Sequence, residues 1–459
     1  MALQGVEHIG RRDLIWSYTA TVFTIGAGIL LYPFILVKLP SETVGVWNIF
    51  QIITSLVALL DFGFQPSFAR NVSYVFSGAQ GLKKEGMTAI TDNQAIDYHL
   101  LNDTIHAMRV FYRRLALIVF LSLASIGTAY ILYVTQSYSG KQSEIVIAWV
   151  LLIIINSFDL YTYYYGALLM GKGKVRQTQQ INIAGQTAYI LLAILFIFLG
   201  WGLVAIVASQ LISIIIRRVY SYIVFFTPEI REAMQSVTQS DSHSHQEIFK
   251  AIMPNALKLG LTSIAGFLIY KMSVLIGGAI LPLAVMGSYG LTFQVTDIIA
   301  RMGSVYYQSF VPKIAQYRLE NDLVKLRQIY TRSVIALFGV FIVLGGGVLL
   351  AGDWILGLLN SQTMFLPTAM FAVLLLIHLL GRNHVIAWGF ILAKNEVPFM
   401  IPSLITAVAT IILTYILLVP LQMGIWGLII APGITQIVYQ NWKWPSVTIR
   451  ELWQNGKTC

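Results

Sequence analysis

Apolar runs of about twenty residues, separated by short clusters of charge, glycine and proline, follow one another along almost the whole chain. A hydrocarbon core roughly 30 Å thick takes about 20 apolar residues per helix, so runs of this length predict membrane spans. The pattern predicts twelve. The first six cover 14–37, 44–64, 115–134, 145–169, 183–200 and 203–226, and the second six 255–279, 283–311, 331–351, 367–392, 398–419 and 424–442. Residues 1–226 then form an N-terminal lobe, 227–254 a polar linker, 255–442 a C-terminal lobe and 443–459 a tail. The first run follows Arg11 and Arg12 without a small-residue cleavage site, and it reads as a retained anchor.

Composition agrees with an all-α membrane protein: 57% of the 459 residues are hydrophobic and 11% charged, against roughly 25% charged in a water-soluble domain. The formal charge of +10 does not point to nucleic acid, because the basic residues are spread over many short loops instead of one patch. They set orientation instead. Twelve spans put both termini on one side, and 24 of the 30 Lys and Arg residues fall on that side, with only Lys38 and Lys141 in the opposite loops. Both termini are expected in the cytoplasm. Tryptophans cluster at the span ends, Trp47, Trp149, Trp201, Trp354 and Trp426 outside and Trp16, Trp442 and Trp444 inside, as an interfacial belt would. The only cysteine, Cys459, allows neither an intrachain disulfide nor a cysteine metal site.

The outer loops are short, whereas 65–114 forms a long inner segment. Leu101, Ile105, Met108, Tyr112 and Leu115 follow helical spacing, so a cytoplasmic helix is expected to pack on the bundle and extend the third span. Sliding the chain by 242 residues aligns the second span with the eighth without a gap. Leu39, Pro40, Gly45, Thr54, Ser67 and Phe68 meet Leu281, Pro282, Gly287, Thr296, Ser309 and Phe310, more identity than the roughly two matches composition predicts. A shift of 223 pairs Tyr165, Gly166 and Leu169 of the fourth span with Trp388, Gly389 and Leu392 of the tenth. Two six-helix halves entering the membrane in the same direction would be related by an axis along its normal.

Charge inside a bilayer costs on the order of 3 kcal/mol per residue and needs a reason. Lys271 in the seventh span, Asp297 and Arg301 in the eighth, Asp159 in the fourth and Arg382 in the tenth are the clear cases; Asp61, Lys258, Arg217 and Arg218 lie nearer the cytoplasmic ends, where long side chains reach water. Asp297 and Arg301, four apart, suit an intrahelical ion pair. With Lys271 close by, the cations outnumber the carboxylate, which favours an anionic substrate such as a pyrophosphate head group. Lys271, Arg301, Arg382 and Lys258 are therefore candidate anion-binding residues, and Asp297, Asp159 and Asp61 candidates for ion coupling or gating. The 223 shift places Asp159 opposite Arg382, either as a bridge across a cleft or each with a local partner. His378 and His384 flank Arg382 and read as packing residues. Tyr161, Tyr163, Tyr164 and Tyr165 fit an interfacial belt better than a sugar-stacking wall. Pro33, Pro432 with Gly433, and Gly345–Gly347 are candidate bends or close-packing sites. No nucleotide-binding loop, zincin motif or Asp-x-Asp pair is found, so ATP is not the expected energy source.

Glu42, Gly45, Trp47 and Phe50, then Leu60, Asp61, Phe62 and Gly63, with Arg70 beyond, resemble the bacterial polysaccharide-biosynthesis flippases of the Wzx (O-antigen) type. These belong to the multidrug, oligosaccharidyl-lipid and polysaccharide (MOP) exporter superfamily. The resemblance implies a MATE-like fold, about twelve transmembrane helices in two pseudo-symmetric six-helix lobes around a central cleft. It also implies transfer of an undecaprenyl-pyrophosphate-linked oligosaccharide, an O-antigen, capsule or exopolysaccharide unit, to the outer leaflet by alternating access. Spans one, two, seven and eight would line the cleft, where Lys271, Asp297 and Arg301 fall. The first span, however, carries no charge between 14 and 37, a departure from cations on both lobes. The expected setting is the bacterial cytoplasmic membrane, as a monomer beside other polysaccharide-assembly proteins, with membrane lipids and the lipid-linked glycan as partners. No cofactor is expected, and coupling to a proton or sodium gradient is left open. A drug exporter of the same superfamily and a polytopic glycosyltransferase or polymerase are the alternatives; the small outer loops argue against the enzyme.

Overall fold

In the computed structural model, residues 31–76, 96–235, 260–319, 322–394 and 396–454 are described, with Trp16, Phe23 and Leu257. All regular structure among them is helical. Among the described residues nine helices are long and apolar enough to cross a membrane: Ser41–Leu59, Tyr98–Val134, Gln142–Gly171, Val175–Phe198, Gly202–Phe225, Leu283–Val311, Leu323–Leu358, Thr368–Leu392 and Met400–Leu418. A tenth span is the pair Gly260–Tyr270 and Met272–Ile280, bent by 40°. These ten correspond to the expected second to eleventh spans. Most of the expected first span lies outside the described residues, apart from a helical stretch at 31–38. The expected twelfth span differs: Ile425–Ile437, with Pro432 inside it, stops before a second helix, Gln440–Gln454. Gln440, Asn441 and Lys443 at the start of that second helix are too polar to continue a span.

The chain divides into two units. The N-terminal unit contains Ile53–Gln136 and Gly140–Gly260, and the C-terminal unit contains Leu36–Ile52 and Leu261–Cys459. The N-terminal half of the second span thus belongs with the C-terminal unit. There Gly45 crosses Gly287: a Cβ on Gly45 would lie 2.3 Å from the Leu283 carbonyl oxygen, and one on Gly287 2.4 Å from that of Ser41. Residues 41 and 45 are 242 positions before 283 and 287, so repeat-related glycines meet each other symmetrically. Only residues without a Cβ allow two backbones this close.

The repeat reappears inside each unit. In the N-terminal unit Gly166 faces the Gln65 side chain, and in the C-terminal unit Gly389 faces Tyr307, with hypothetical Cβ distances of 2.1 and 1.6 Å. Positions 65 and 307 are related by the 242 shift and 166 and 389 by the 223 shift. The third and ninth spans also correspond. Each starts from an aspartate cap, Asp97 accepting from the Leu100 N–H and Asp322 from the Lys325 N–H, both at 3.0 Å. The Lys325 ammonium, 2.7 Å from Asp322, and that backbone bond hold the Asp322 carboxyl below the ordinary carboxylate range. Each span then widens into one π-helical turn, Leu123–Gly127 in one and Phe341–Gly345 in the other. In the first, the Thr128 hydroxyl donates to the Leu123 carbonyl five residues back, and Gly127 leaves room for Trp149, whose indole N–H donates to Thr128 at 2.9 Å.

The helical extension that precedes the apolar part of the third span forms as expected. Tyr98–Ser122 is one helix, and Leu101, Ile105, Met108 and Tyr112 on one face are fully buried. The tyrosine run is corrected. The fourth span breaks between Tyr161 and Tyr164, Tyr164 is buried and stacked on Tyr165, and Tyr163 packs on Tyr112. Tyr164 is thus internal packing, Tyr163 and Tyr165 are partly buried and Tyr161 is the exposed member of the run. Trp47, Trp149 and Trp444 are likewise buried, whereas Trp201, Trp354 and Trp442 are exposed as a lipid-facing belt requires.

Candidate functional site

Three helices of the C-terminal unit assemble a charge cluster. Asp297 and Arg301 lie one turn apart on the eighth span, and the tenth span brings Arg382 to the same carboxylate. One oxygen of Asp297 is 3.3 Å from Arg301 Nη2, and the other accepts from Arg382 Nη2 at 3.0 Å. The seventh span contributes Lys271, which lies within electrostatic reach of Asp297, Arg301 and Arg382. Arg301 is 51% exposed and Arg382 32%, against 20% for Asp297. The guanidinium groups are therefore the open part of the site and the carboxylate the covered part.

The break in the seventh span falls at Lys271 itself. Its N–H donates to the Phe267 carbonyl, and the helix restarts at Met272 on an axis bent by 40°. A discontinuous helix exposes backbone dipole ends inside the membrane, and the restarting N-terminus adds partial positive charge beside the ammonium. Aromatic and polar side chains fix the cluster from behind. His378, one turn before Arg382, is buried between Tyr270 and Phe293, and its Nδ1 meets the Leu374 carbonyl at 3.0 Å. The Tyr270 hydroxyl donates to Gln436 at 2.5 Å and occupies space that a side chain at Gly381 would fill. His384 pairs with Asn441 and packs its ring, tilted, against Trp388.

The remaining candidates lie elsewhere. Asp159 pairs with Arg218 of the sixth span, within the N-terminal unit. Asp159 and Arg382 thus each have a local partner, the second of the two readings. The two positions remain equivalent in the repeat but solve their charge differently. The 242-shift counterpart of Asp297 is Ser55, so Asp159 has no charged neighbour on the second span and pairs with the sixth. That missing counterpart is a signal the sequence contains. Arg218, read only as a side chain able to reach water, is the partner missed. Asp61 accepts from the Tyr112 hydroxyl at 2.6 Å and from the Gln65 N–H, and so caps the helix Phe64–Phe76 after a turn with Phe62 and Gly63 at positive φ. The Leu-Asp-Phe-Gly motif is thus a helix break held by its aspartate. Lys258 lies outside the described residues.

No family model matches the chain. It is 20% identical over 427 residues, 92% of this chain and 80% of the relative, to the probable low-salt glycan biosynthesis flippase Agl15 of Haloferax volcanii. Among solved structures, an inward-facing multidrug resistance MATE family transporter of the MOP superfamily superposes with a TM-score of 0.68 at 15% identity, over 97% of this chain and 99% of that one. The fold is that of the MATE transporters. A MOP superfamily transporter from Pyrococcus furiosus, described by the reverse polarity of its binding pocket, shares the MATE fold at a TM-score of 0.52 and 14% identity, over 97% and 95% of the two chains. The chain is a multi-pass membrane protein with this transporter architecture.

Proposed function

We propose that the protein is a flippase that moves a lipid-linked oligosaccharide across the membrane by alternating access, engaging the phosphate groups between lipid and glycan. The observation that carries this reading is the cluster Lys271, Arg301 and Arg382 around Asp297, an excess of cations on three membrane helices at a helix break. Arginine offers forked hydrogen bonds to phosphate oxygens and lysine a mobile point charge, so the donor set suits a phosphorylated head group. The name of the Haloferax volcanii relative, a probable glycan biosynthesis flippase, is consistent with such a cargo. In a bacterial cytoplasmic membrane the cargo would be an O-antigen, capsule or exopolysaccharide unit on an undecaprenyl carrier. No cofactor enters the reading; a proton or sodium gradient would supply the energy.

In proteoliposomes carrying a fluorescent lipid-linked glycan, Lys271→Ala and Arg301→Ala should each slow transfer between leaflets by about tenfold or more, the loss of one charge-assisted contact. Both variants should insert and unfold like the wild type. Full transfer by both would remove the cation site from the mechanism. A small-molecule exporter is the second reading, favoured by the multidrug transporter among the structural neighbours. It requires that the protein protect cells against cationic drugs and that the lipid-linked glycan stay in its original leaflet.

A further inference from the structure

The first half of the fifth span is polar on one face. Gln179, Asn182, Gln186 and Tyr189 follow one another at helical spacing over about 15 Å of the helix Val175–Phe198. The three amide side chains have no hydrogen-bond partner among the described residues, and Asn182 is exposed. Further along the helix Ile190, Ala193 and Ile197 continue this face and are buried, whereas Leu191, Leu195 and Phe198 on the other side are exposed as a lipid-facing surface requires. The amides are therefore turned away from lipid, where unpaired polar groups would be costly. They line a polar surface of the N-terminal unit.

The sixth span sets a cation beside this surface. The Ser213 hydroxyl donates to the Gly185 carbonyl at 2.7 Å, and Arg217, one turn on, crosses Gly185 so closely that no Cβ would fit there. Arg217 Nη2 donates to the Ser213 hydroxyl at 2.9 Å, and no carboxylate pairs with it among the described residues. Asp159 is within its electrostatic reach but is paired with Arg218. Arg217 also reaches Tyr189 of the polar stripe, and its guanidinium keeps N–H groups to spare. An amide both donates and accepts, as a sugar hydroxyl does, and a guanidinium with no counter-ion suits a carboxylate through forked hydrogen bonds. A phosphate alone would leave the amides unmatched. We propose that this face of the N-terminal unit binds the glycan part of the cargo, and that Arg217 selects glycans bearing a carboxylate sugar, a uronic acid. The proposal rests on the flippase reading and adds a specificity for the sugar, a part of the cargo that the cluster around Asp297 does not address.

Two fifteen-carbon prenyl diphosphate probes, one carrying a disaccharide that ends in glucuronic acid and the other a disaccharide that ends in glucose, separate the glycan from its carrier. The purified full chain should bind the acidic probe about tenfold tighter than the neutral one, the effect of one charge-assisted contact. Arg217→Gln should abolish that preference by weakening the acidic probe alone, and Arg217→Lys should keep part of it. Asn182→Ala and Gln186→Ala remove side chains without protein partners, so their thermal midpoints should match the wild type. Each should weaken both probes by about threefold and keep their ratio. Equal wild-type binding of both probes overturns the selection for acidic glycans and leaves the flippase reading standing, a result that does not depend on how any variant folds. Equal weakening of both probes by Arg217→Gln assigns the arginine to the phosphates and overturns its role. Unchanged binding by both amide variants overturns the glycan face, and no wild-type binding of either probe removes the flippase reading and the inference with it.

Discussion

Asp159 and Arg382 occupy equivalent places in the two repeats, yet each is neutralised by a helix the other does not use. Arg218 serves Asp159 and Asp297 serves Arg382. Membrane charges are tolerable only when paired, and pairing is decided by which helices pack, a property that residue depth does not contain. Reversing Asp159 alone should therefore destabilise the protein by on the order of 2 kcal/mol, less than the about 3–5 of a fully buried pair because Asp159 is 38% exposed. Asp159→Arg combined with Arg218→Asp should restore the thermal midpoint toward that of the wild type, whereas Asp159→Arg combined with Arg382→Asp should not. Recovery in the second combination instead of the first would assign the wrong partner.

At the scale of the helix, interruptions carry much of the architecture, and the sequence marks them unevenly. Asp61, Phe62 and Gly63 announce a break through a glycine and a capping aspartate, and the structure has one there. The bend at Lys271 and the π turn at Leu123–Gly127 have no proline beside them, because packing against neighbouring helices selects them. Glycines divide in the same way. Gly45 and Gly287 sit where two backbones touch, while Gly346 and Gly347 border the second π turn with nothing within 4 Å of a Cβ. Gly45→Ala should cost about 1–3 kcal/mol, since the atom it would strike is a carbonyl oxygen that cannot swing away. Gly346→Ala should be neutral or stabilise by about 0.5–1 kcal/mol through the lower entropy of its unfolded chain. Thermal midpoints of the two purified variants separate these outcomes, and a Gly45→Ala midpoint equal to wild type would contradict the close crossing.

The whole molecule poses a topological question that charge counting answers in advance. With an even number of spans and basic residues gathered on the side of the termini, Cys459 should face the cytoplasm. A membrane-impermeant maleimide should label Cys459 in inside-out vesicles and not in intact cells. In a Cys459→Ser background, Lys141→Cys should give the opposite pattern. Labelling of both sites from one side would require an even number of crossings between them and overturn the twelve-span topology, which puts an odd number there.

How much was legible follows from what each kind of information depends on. Apolar run length, basic-loop asymmetry and the 242 and 223 shifts are properties of chain order, and they determined the helical class, the places of ten spans and the repeat. The pair Asp297 and Arg301 was legible too, because helical spacing alone puts residues four apart on one face. The share of Arg382 in that cluster, the partner of Asp159 and the burial of Tyr164 were decided only by the tertiary structure. Each depends on how helices distant in sequence rotate and cross, which side-chain packing at contacts such as Gly389 against Tyr307 sets.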